Sequence, residues 1–194
     1  YPRNIAAASN AQATAVERIN YDTSINAGIE VHGRSGNDMF VFDDTNSTIV
    51  AFGGPGDDIF QVGQVFKSQR DAYANLAEAD HFATTFTDRG YLSNGVRHAM
   101  TAHGDGGNDV FLVYHNLAPL TLNGGADDDK FTIRAFVTLD PAERHKRLTN
   151  VNGGLGADAV EYAVNAPVDI DGGDGFDTMV VIGHRKILQL SLPG

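Results

Sequence analysis

The feature that most constrains this chain is a hexapeptide rich in glycine and aspartate that occurs six times. Its sixth position is Asp in every copy, and an apolar residue follows two positions later. The copies begin at intervals of 20, 51, 20, 29 and 19 residues. Three intervals agree on a period near 20, so the two longer ones indicate insertions into a common repeat. The six copies occupy residues 33–38, 53–58, 104–109, 124–129, 153–158 and 172–177.

Short alternating segments flank the hexapeptides, such as residues 29–31 before the first copy and residues 40–42 after it. Alternation of β-branched and aromatic residues with period 2 predicts strands. A unit of two short strands and two turns cannot bury its apolar face alone, but it can when stacked on copies of itself. We therefore predict an all-β fold, a right-handed parallel β-solenoid of about six 20-residue coils with two insertions that contain short helices.

The solenoid makes a prediction about the core that an antiparallel sandwich does not make. Phe60 and Phe111 are 51 residues apart, yet the solenoid places both in one internal ladder, with Phe40 and Phe131. The alternative is an antiparallel sandwich with glycine-rich hairpins. The nearly constant spacing and the invariant Asp favour the solenoid.

The composition of the turns points to a hard cation. Of the 25 acidic residues of this 194-residue chain, 20 are Asp, and Gly occurs 22 times. Glycines at the first, second and fourth positions permit positive φ and close backbone approach, which lets carbonyl oxygens converge. Stacked turns then combine carbonyls with one Asp each, and such all-oxygen, multidentate ligation is what Ca²⁺ prefers.

Charge and cysteine content exclude other classes. A formal net charge of −11 disfavours binding to nucleic acid or to anionic lipid. The absence of cysteine excludes disulfides and zinc–thiolate sites. No apolar run approaches the ~18 residues that a membrane span needs.

The six hexapeptides, each with its apolar residue two positions on, resemble the hemolysin-type calcium-binding repeats of bacterial repeats-in-toxin proteins, whose nonapeptide is GGxGxDxUx. The resemblance covers about nine residues of each copy and the flanking strands. It implies Ca²⁺ between stacked turns, held by the sixth-position Asp and by carbonyls of the first four turn residues. It also implies a chain that is exported unfolded and folds in extracellular calcium. The implied ligands are Asp38, Asp58, Asp109, Asp129, Asp158 and Asp177.

The sequence departs from the family pattern in three respects. One motif per 20-residue coil predicts a single calcium row with at most five sites between six turns. Arg34 and Asp105 replace the second glycine, and Asp127 replaces the fourth, which weakens the expectation of a site around Gly33 and Gly124. Further acidic residues of the turns are expected to face solvent: Asp57, Asp105, Asp128 and Asp174.

Two insertions interrupt the period. In the first, residues 67–81 predict a short helix and residues 84–94 predict a loop. In the second, residues 140–143 predict a helix start that continues to residue 148, with a basic spot at its end. We expect the first insertion to be a surface decoration. Residues that could instead form a ligand site there are Asp80, His81, Asp88, Arg89, Tyr91, Arg97 and His98, with His103 just beyond.

The predicted organisation has six parts, and we expect the chain to be a piece of a longer protein. They are an N-terminal segment or extra coil (1–28), coils 1–2 (29–63), the first insertion (64–99), coils 3–4 (100–133), the helical insertion (134–149), and coils 5–6 with a terminal strand at 187–192 (150–194).

The functional expectation follows from these features. The chain carries no HExxH, GxSxG or Walker sequence, the usual signals of several enzyme classes. We expect a calcium-binding structural or adhesive module of a large secreted or surface bacterial protein. Its expected partners are calcium ions, adjoining domains and a glycan or cell-surface ligand, without nucleic acid or a membrane span. The alternative is a β-helical carbohydrate-binding or carbohydrate-active domain that uses the 64–99 insertion.

Overall fold

A computed structural model describes residues 19–70, 78, 81–134, 136 and 141–183. Most of this part of the chain is β-strand, and two six-stranded sheets, A and B, dominate it. All neighbouring strands within each of these sheets run parallel. The all-β prediction is therefore confirmed, and the antiparallel sandwich is wrong because hairpins cannot produce parallel neighbours.

The strands of the two sheets alternate along the chain. In spatial order, sheet A consists of β1 (Ile29–His32), β4 (Ile49–Pro55), β10 (Met100–Gly106), β12 (Leu120–Ala126), β14 (Thr149–Gly156) and β16 (Val168–Gly175). Sheet B consists of β2 (Met39–Phe42), β5 (Ile59–Val62), β11 (Val110–Val113), β13 (Lys130–Ile133), β15 (Ala159–Ala163) and β17 (Thr178–Ile182). Each hexapeptide thus follows or overlaps the end of one strand of sheet A and leads to the next strand of sheet B. Both sheets keep the same order.

Equivalent positions of the repeat face each other across every parallel pair. Phe111 is opposite both Phe60 and Phe131, and their rings stack at centroid distances of 5.0 and 4.8 Å. Phe40 stacks on Phe60 at 4.9 Å. The predicted ladder is confirmed, including the pair that the first insertion separates in sequence. The rings of Phe60, Phe111 and Phe131 are buried together with the inward residues of sheet A, such as Ala102 and Leu122, and the partly buried Phe40 packs against them.

The chain crosses between the sheets at two edges. We call the side formed by the six hexapeptides, which lead from sheet A to sheet B, the motif edge. The return edge consists of the segments that lead from sheet B back to sheet A, residues 43–48, 63–99, 114–119, 134–148 and 164–167. Each connection at the motif edge is built on one six-residue motif, whereas the connections at the return edge vary widely in length.

The first insertion leaves the stack after Gln64 and returns at Ser93, whose N–H donates to the Gln64 carbonyl at 2.9 Å. From there β9 (Gly95–Val96) pairs in parallel with β3 (Asp44–Thr45). Between these points β6 (Val65–Phe66), β7 (Thr84–Thr87) and β8 (Gly90–Ser93) form a three-stranded antiparallel sheet. The loop predicted for residues 84–94 is therefore wrong, because β7 and β8 pair with each other. The helix predicted for residues 67–81 lies mostly outside the described residues.

The second insertion contains a 3₁₀ helix, Pro141–Arg147, with Glu143 in its first turn and four basic residues in its last. The predicted helical segment is confirmed, although its hydrogen bonding is of the 3₁₀ type. The predicted terminal strand at residues 187–192 lies outside the described residues. Within the described residues, no helix has the length and apolar character needed to cross a membrane.

Candidate metal centre

The turns of the motif edge require a left-handed backbone at two positions. The second and fourth residues of the hexapeptide have positive φ, for example 101° at Gly54 and 143° at Gly56. Among the described residues, the non-glycine residues with positive φ are Arg34, Asp105 and Asp127, at 79°, 75° and 77°. These are the positions where the sequence departs from glycine. The stack therefore imposes the same turn on them, at a cost of about 1–2 kcal/mol each.

The first glycine of the motif is required for a different reason, which is lack of space. A Cβ atom built on Gly33 would lie 2.6 Å from Asp38 Oδ2 and 2.7 Å from the carbonyl oxygen of Gly53. The same two kinds of oxygen crowd the equivalent position at Gly53, Gly104 and Gly124. Each level of the stack thus brings together a carboxylate oxygen of one copy and a carbonyl oxygen of the next.

The six predicted ligands form one row, which we call the inner ladder. In each step the backbone N–H of one Asp donates to Oδ1 of the Asp in the following copy, at 2.7–3.0 Å. The step from Asp58 to Asp109 keeps this geometry across 51 residues. The row runs through Asp38, Asp58, Asp109, Asp129, Asp158 and Asp177.

The other carboxylate oxygen of the inner ladder has no partner. Oδ2 is buried and without a hydrogen bond in five members, namely Asp38, Asp58, Asp109, Asp129 and Asp158. The side chains at 58, 109, 129 and 158 are at most 2% exposed. A buried polar oxygen without a donor costs about 1–3 kcal/mol, and more when it carries charge. Binding of a proton or a cation to these oxygens would remove that cost.

Burial changes the acidity of the row. It raises the pKa of Asp109 to about 6 and the pKa of Asp129 to about 7, and the charges of neighbouring Asp residues add to this effect. Burial also raises the pKa of Asp58 and of Asp158. The hydrogen bond that each Oδ1 accepts from backbone N–H acts in the opposite direction. Without a cation, Asp129 is thus partly protonated near neutral pH, and Asp109 becomes so at slightly lower pH.

A second ladder follows the fifth position of the motif, and the sequence analysis missed it. Here the N–H of the later copy donates to Oδ1 of the earlier one, as from Asp57 to Asn37 at 3.0 Å and from Asn108 to Asp57 at 2.9 Å. The steps from Asp128 to Asn108 and from Ala157 to Asp128 continue it. The signal was present as Asn or Asp at position five of four successive copies. The solvent exposure predicted for Asp57, Asp105, Asp128 and Asp174 is confirmed.

The donor set of the inner ladder suits a hard cation. Each level offers one free carboxylate oxygen and main-chain carbonyls, without nitrogen or sulfur ligands. The described residues contain no cluster of three or more acidic or histidine side chains placed to hold a metal. A cation at this edge would therefore depend on carbonyl oxygens, which Ca²⁺ accepts and Zn²⁺ rarely uses.

The candidate residues of the first insertion are not brought together. Arg97 pairs with Asp44 at 2.6 Å, and His103 stacks on Phe52 of sheet A at 4.9 Å. Asp88 lies in the turn between β7 and β8, and Asp80 is outside the described residues. The described residues thus contain no single site built from this set.

Comparison with known proteins adds no family to these observations: no protein-family model, no curated protein and no solved structure matches the chain.

Proposed function

We propose that this chain is a calcium-binding module with a structural or adhesive role in a large secreted or surface protein of bacterial type. The observation that carries the proposal is the inner ladder, in which five buried Oδ2 atoms have no hydrogen-bond donor. A row of identical unpaired carboxylate oxygens, each next to a carbonyl of the next copy, is favourable only when positive charge or protons neutralise it. The resemblance to hemolysin-type repeats is part of this proposal.

The finer fold that we propose is a right-handed parallel β-solenoid. Alternation of the chain between two parallel sheets, with equivalent positions in register, supports it. Right-handed crossover is the strong preference of parallel strands joined within one sheet. In this arrangement each copy of the motif forms one corner of a coil of about 20 residues.

The residues that would hold calcium are the inner-ladder carboxylates, through Oδ2, and the carbonyl of the first glycine in the following copy. Asp38, Asp58, Asp109, Asp129 and Asp158 each have such a following copy, which gives at most five sites. Asp177 supplies Oδ1 to the last step, and its own side chain is exposed. Bound calcium supplies positive charge to a row of carboxylates that otherwise repel one another.

The consequence for the protein is folding coupled to metal binding. Carboxylates a few Å apart repel by about 1–4 kcal/mol per close pair, so an ion that binds only the folded stack adds to its stability. Extracellular modules bind Ca²⁺ at ~10⁻⁴–10⁻³ M, and a chain of this type would be loose at low calcium and rigid at high calcium.

The experiment is a calorimetric Ca²⁺ titration of the chain, with thermal melting followed by circular dichroism. Calcium at about 100 times its dissociation constant should stabilise by about 2.7 kcal/mol per site, which raises the melting temperature by many degrees. Mg²⁺ should not replace it, because it demands near-ideal octahedral geometry. Equal melting temperatures in EDTA and in millimolar Ca²⁺ would contradict the proposal.

A matched pair of variants locates the site. Asp129→Asn removes a carboxylate with a free Oδ2, and Asp128→Asn makes the same change of charge at the exposed neighbour. The first should lower the calcium stoichiometry, whereas the second should leave it unchanged. If Asp128→Asn lost as much calcium as Asp129→Asn, the ions would be bound by general charge and not by the inner ladder.

A further inference from the structure

The parallel stack is open at both ends. Within the described residues, β1 and β2 form the first coil and β16 and β17 form the last, and each of these strands lies at the edge of its sheet. The edge of a strand presents unpaired N–H and C=O groups, which are a template for pairing with a further strand. The stack therefore ends on the same groups with which its inner coils bind each other.

The last coil exposes apolar residues at positions that the inner coils bury. Met179 continues the row of Phe111 and Phe131, yet it is 55% exposed, whereas those two rings are fully buried. Phe176, in the last motif, is 93% exposed. Exposed apolar patches of this kind are typical of interaction sites.

The two ends have complementary hydrogen-bonding groups. In each step of the inner ladder, the N–H of one Asp donates to Oδ1 of the Asp in the following copy. Asp177 has no following copy, and its N–H has no acceptor among the described residues. Asp38 has no preceding copy, and its Oδ1 receives no N–H from the part of the chain that the structure describes. If the last coil of one molecule lies on the first coil of another, the same hydrogen bond joins the two.

The last coil also contains half of the site proposed for calcium. A Cβ atom built on Gly153 would meet Oδ2 of Asp158 and the carbonyl oxygen of Gly172 in the following copy. At Gly172 the nearest atoms all belong to Asp177, and no later copy follows to supply a carbonyl. Gly33 of a second molecule has the equivalent carbonyl, so it completes this site when the stack continues into that molecule.

The first motif has a backbone that allows such a contact. Arg34 replaces glycine at a φ of 79°, and Asp105 does the same at 75° while pairing with Gly54 of the copy before it. A side chain at this position is therefore compatible with a copy stacked against it. The segment before β1 lies at the return edge, where the Asn46 N–H donates to the Tyr21 hydroxyl at 2.9 Å. Neither Arg34 nor this segment therefore blocks the turn of the first coil.

Charge favours contact between unlike ends over contact between like ends. The last coil, residues 168–182, carries four Asp and no Lys or Arg. The first coil carries Arg34, which is exposed and is the single basic residue in the six motifs. In the continued register Arg34 lies beside Asp174, whereas two last coils would bring Asp against Asp. Glu30 opposite Asp169 opposes the contact, but both are exposed to solvent, which screens their repulsion.

We propose that molecules of this protein associate head to tail, with the last coil of one copy on the first coil of the next. The joint repeats the contact that consecutive coils make within the chain, and it places Met179 against Phe40, a favourable pairing of sulfur with a ring. Such a contact does not close on itself, so it produces assemblies of increasing length. A calcium ion between Asp177 and the Gly33 carbonyl of the next copy makes the joint depend on calcium. This ion rests on the proposed function, whereas the strand pairing and the apolar contacts do not.

The test is sedimentation velocity of the full chain over a range of concentrations, in millimolar Ca²⁺ and in EDTA. In calcium the average mass should rise with protein concentration beyond that of a dimer, and EDTA should weaken association about ten-fold or more. Met179→Lys should also weaken it about ten-fold or more, because it places a charge on the apolar end of the stack. Leu155→Lys is the matched control, since Leu155 is 58% exposed but pairs with Asp174 inside the stack. It should change association less than about two-fold.

A mixture of two variants tests the polarity of the joint. Arg34→Glu brings a like charge to the acidic last coil and should weaken association by itself. An equal mixture of Arg34→Glu and Met179→Lys retains one intact first coil and one intact last coil, so it should form dimers that grow no further. Arg34 is exposed, so its variant remains informative if Met179→Lys does not fold.

The other results overturn the proposal. A chain that binds calcium but remains monomeric in it would exclude the joint and leave the proposed function intact, whereas equal association in EDTA without bound calcium would contradict both. A dimer of constant mass would indicate a two-fold contact through another face, and equal loss in Leu155→Lys would indicate general charge. Association that occurs only after deletion of residues 184–194 would mean that this segment of the same chain covers the last coil.

Discussion

The two edges of the molecule perform the same topological task with different chemistry. At the motif edge, six turns repeat one backbone conformation, and the inner ladder and the second ladder at motif position five join their levels through side-chain oxygens. At the return edge, the connections range from the four residues at 164–167 to the long excursion of residues 63–99. An insertion into the motif edge would break both ladders and the close glycine contacts. The return edge lacks such a ladder in the described residues, and it carries both insertions.

The comparison teaches where stability and variability are located. The motif edge and the core next to it are crowded, so the addition or removal of even one side-chain atom should destabilise the fold there. The return edge exposes charged groups and accommodates extra strands and a 3₁₀ helix. The following predictions test this contrast, from the largest expected effect to the smallest.

The largest effect should come from Phe111, the fully buried ring that follows the motif edge. Phe111→Ala removes stacking on Phe60 and Phe131 and leaves a cavity, which should cost about 3–5 kcal/mol in unfolding free energy. Phe136→Ala, at the half-buried ring of the return edge, should cost about 1 kcal/mol. Chemical denaturation in calcium measures both, and equal losses would remove the proposed contrast between core and return edge.

Without calcium, the stability of the fold should depend on pH in the opposite sense to that of most proteins, whose carboxylates have lowered pKa values and lose stability in acid. The pKa values of Asp109 and Asp129 are raised to about 6 and about 7, above the ~4 of an unfolded chain. The folded state then binds more protons between these pH values, so stability is greatest below pH ~4 and falls as pH rises towards 7. Melting in EDTA between pH 4 and pH 8 measures this.

Calcium should abolish that pH trend, because a bound cation favours the charged carboxylates. The return-edge histidine gives a control: burial lowers the pKa of His115, which alone makes stability rise with pH, so His115→Gln should keep the fall in EDTA and make it slightly steeper. A melting temperature that rises with pH in EDTA would contradict this prediction. It would mean that repulsion between the charged inner-ladder carboxylates does not destabilise the fold.

A smaller effect should come from the first glycine of the motif. Gly104→Ala places a Cβ against Asp109 Oδ2 and the Gly124 carbonyl oxygen, which should cost about 1–3 kcal/mol. Gly106→Ala is the matched control, because a Cβ there meets nothing within 4 Å. It should change stability by less than about 0.5 kcal/mol. Equal losses of unfolding free energy in the two variants would mean that strand propensity, and not crowding by oxygen atoms, is the reason why glycine is needed at the first position.

The smallest effect should come from shortening the first insertion. Phe66 pairs with Tyr91 in the antiparallel β6–β8 ladder, so an Asn-Gly turn can replace residues 67–90. Loop length contributes only about 0.6 kcal/mol per doubling, so the melting temperature in calcium should change by a few degrees at most. A shortened chain that no longer folds in calcium would place the insertion in the core.

The sequence by itself determined the parallel stack and the row of acids. Each unit has the same residue types at the same positions, such as the Asp at position six and the apolar residue two positions later. In-register stacking is the arrangement that buries all of the equivalent residues at once. The pairing of Phe60 with Phe111 followed from the same rule despite the inserted residues. These features are local and periodic, which makes them readable from one chain.

The tertiary structure alone decided how those residues are used. Which carboxylate oxygen accepts an N–H and which remains free depends on the neighbouring copy, as does the second ladder, which begins at Asn37 and includes Asp128. The strands β7 and β8 form through pairing with β6, which residues 84–94 did not reveal. The contacts of Arg89 with Phe136, of Arg144 with Asn165 and of Arg147 with His115 join segments that share no sequence period. Such contacts depend on where non-periodic segments meet in space, and no local pattern records that.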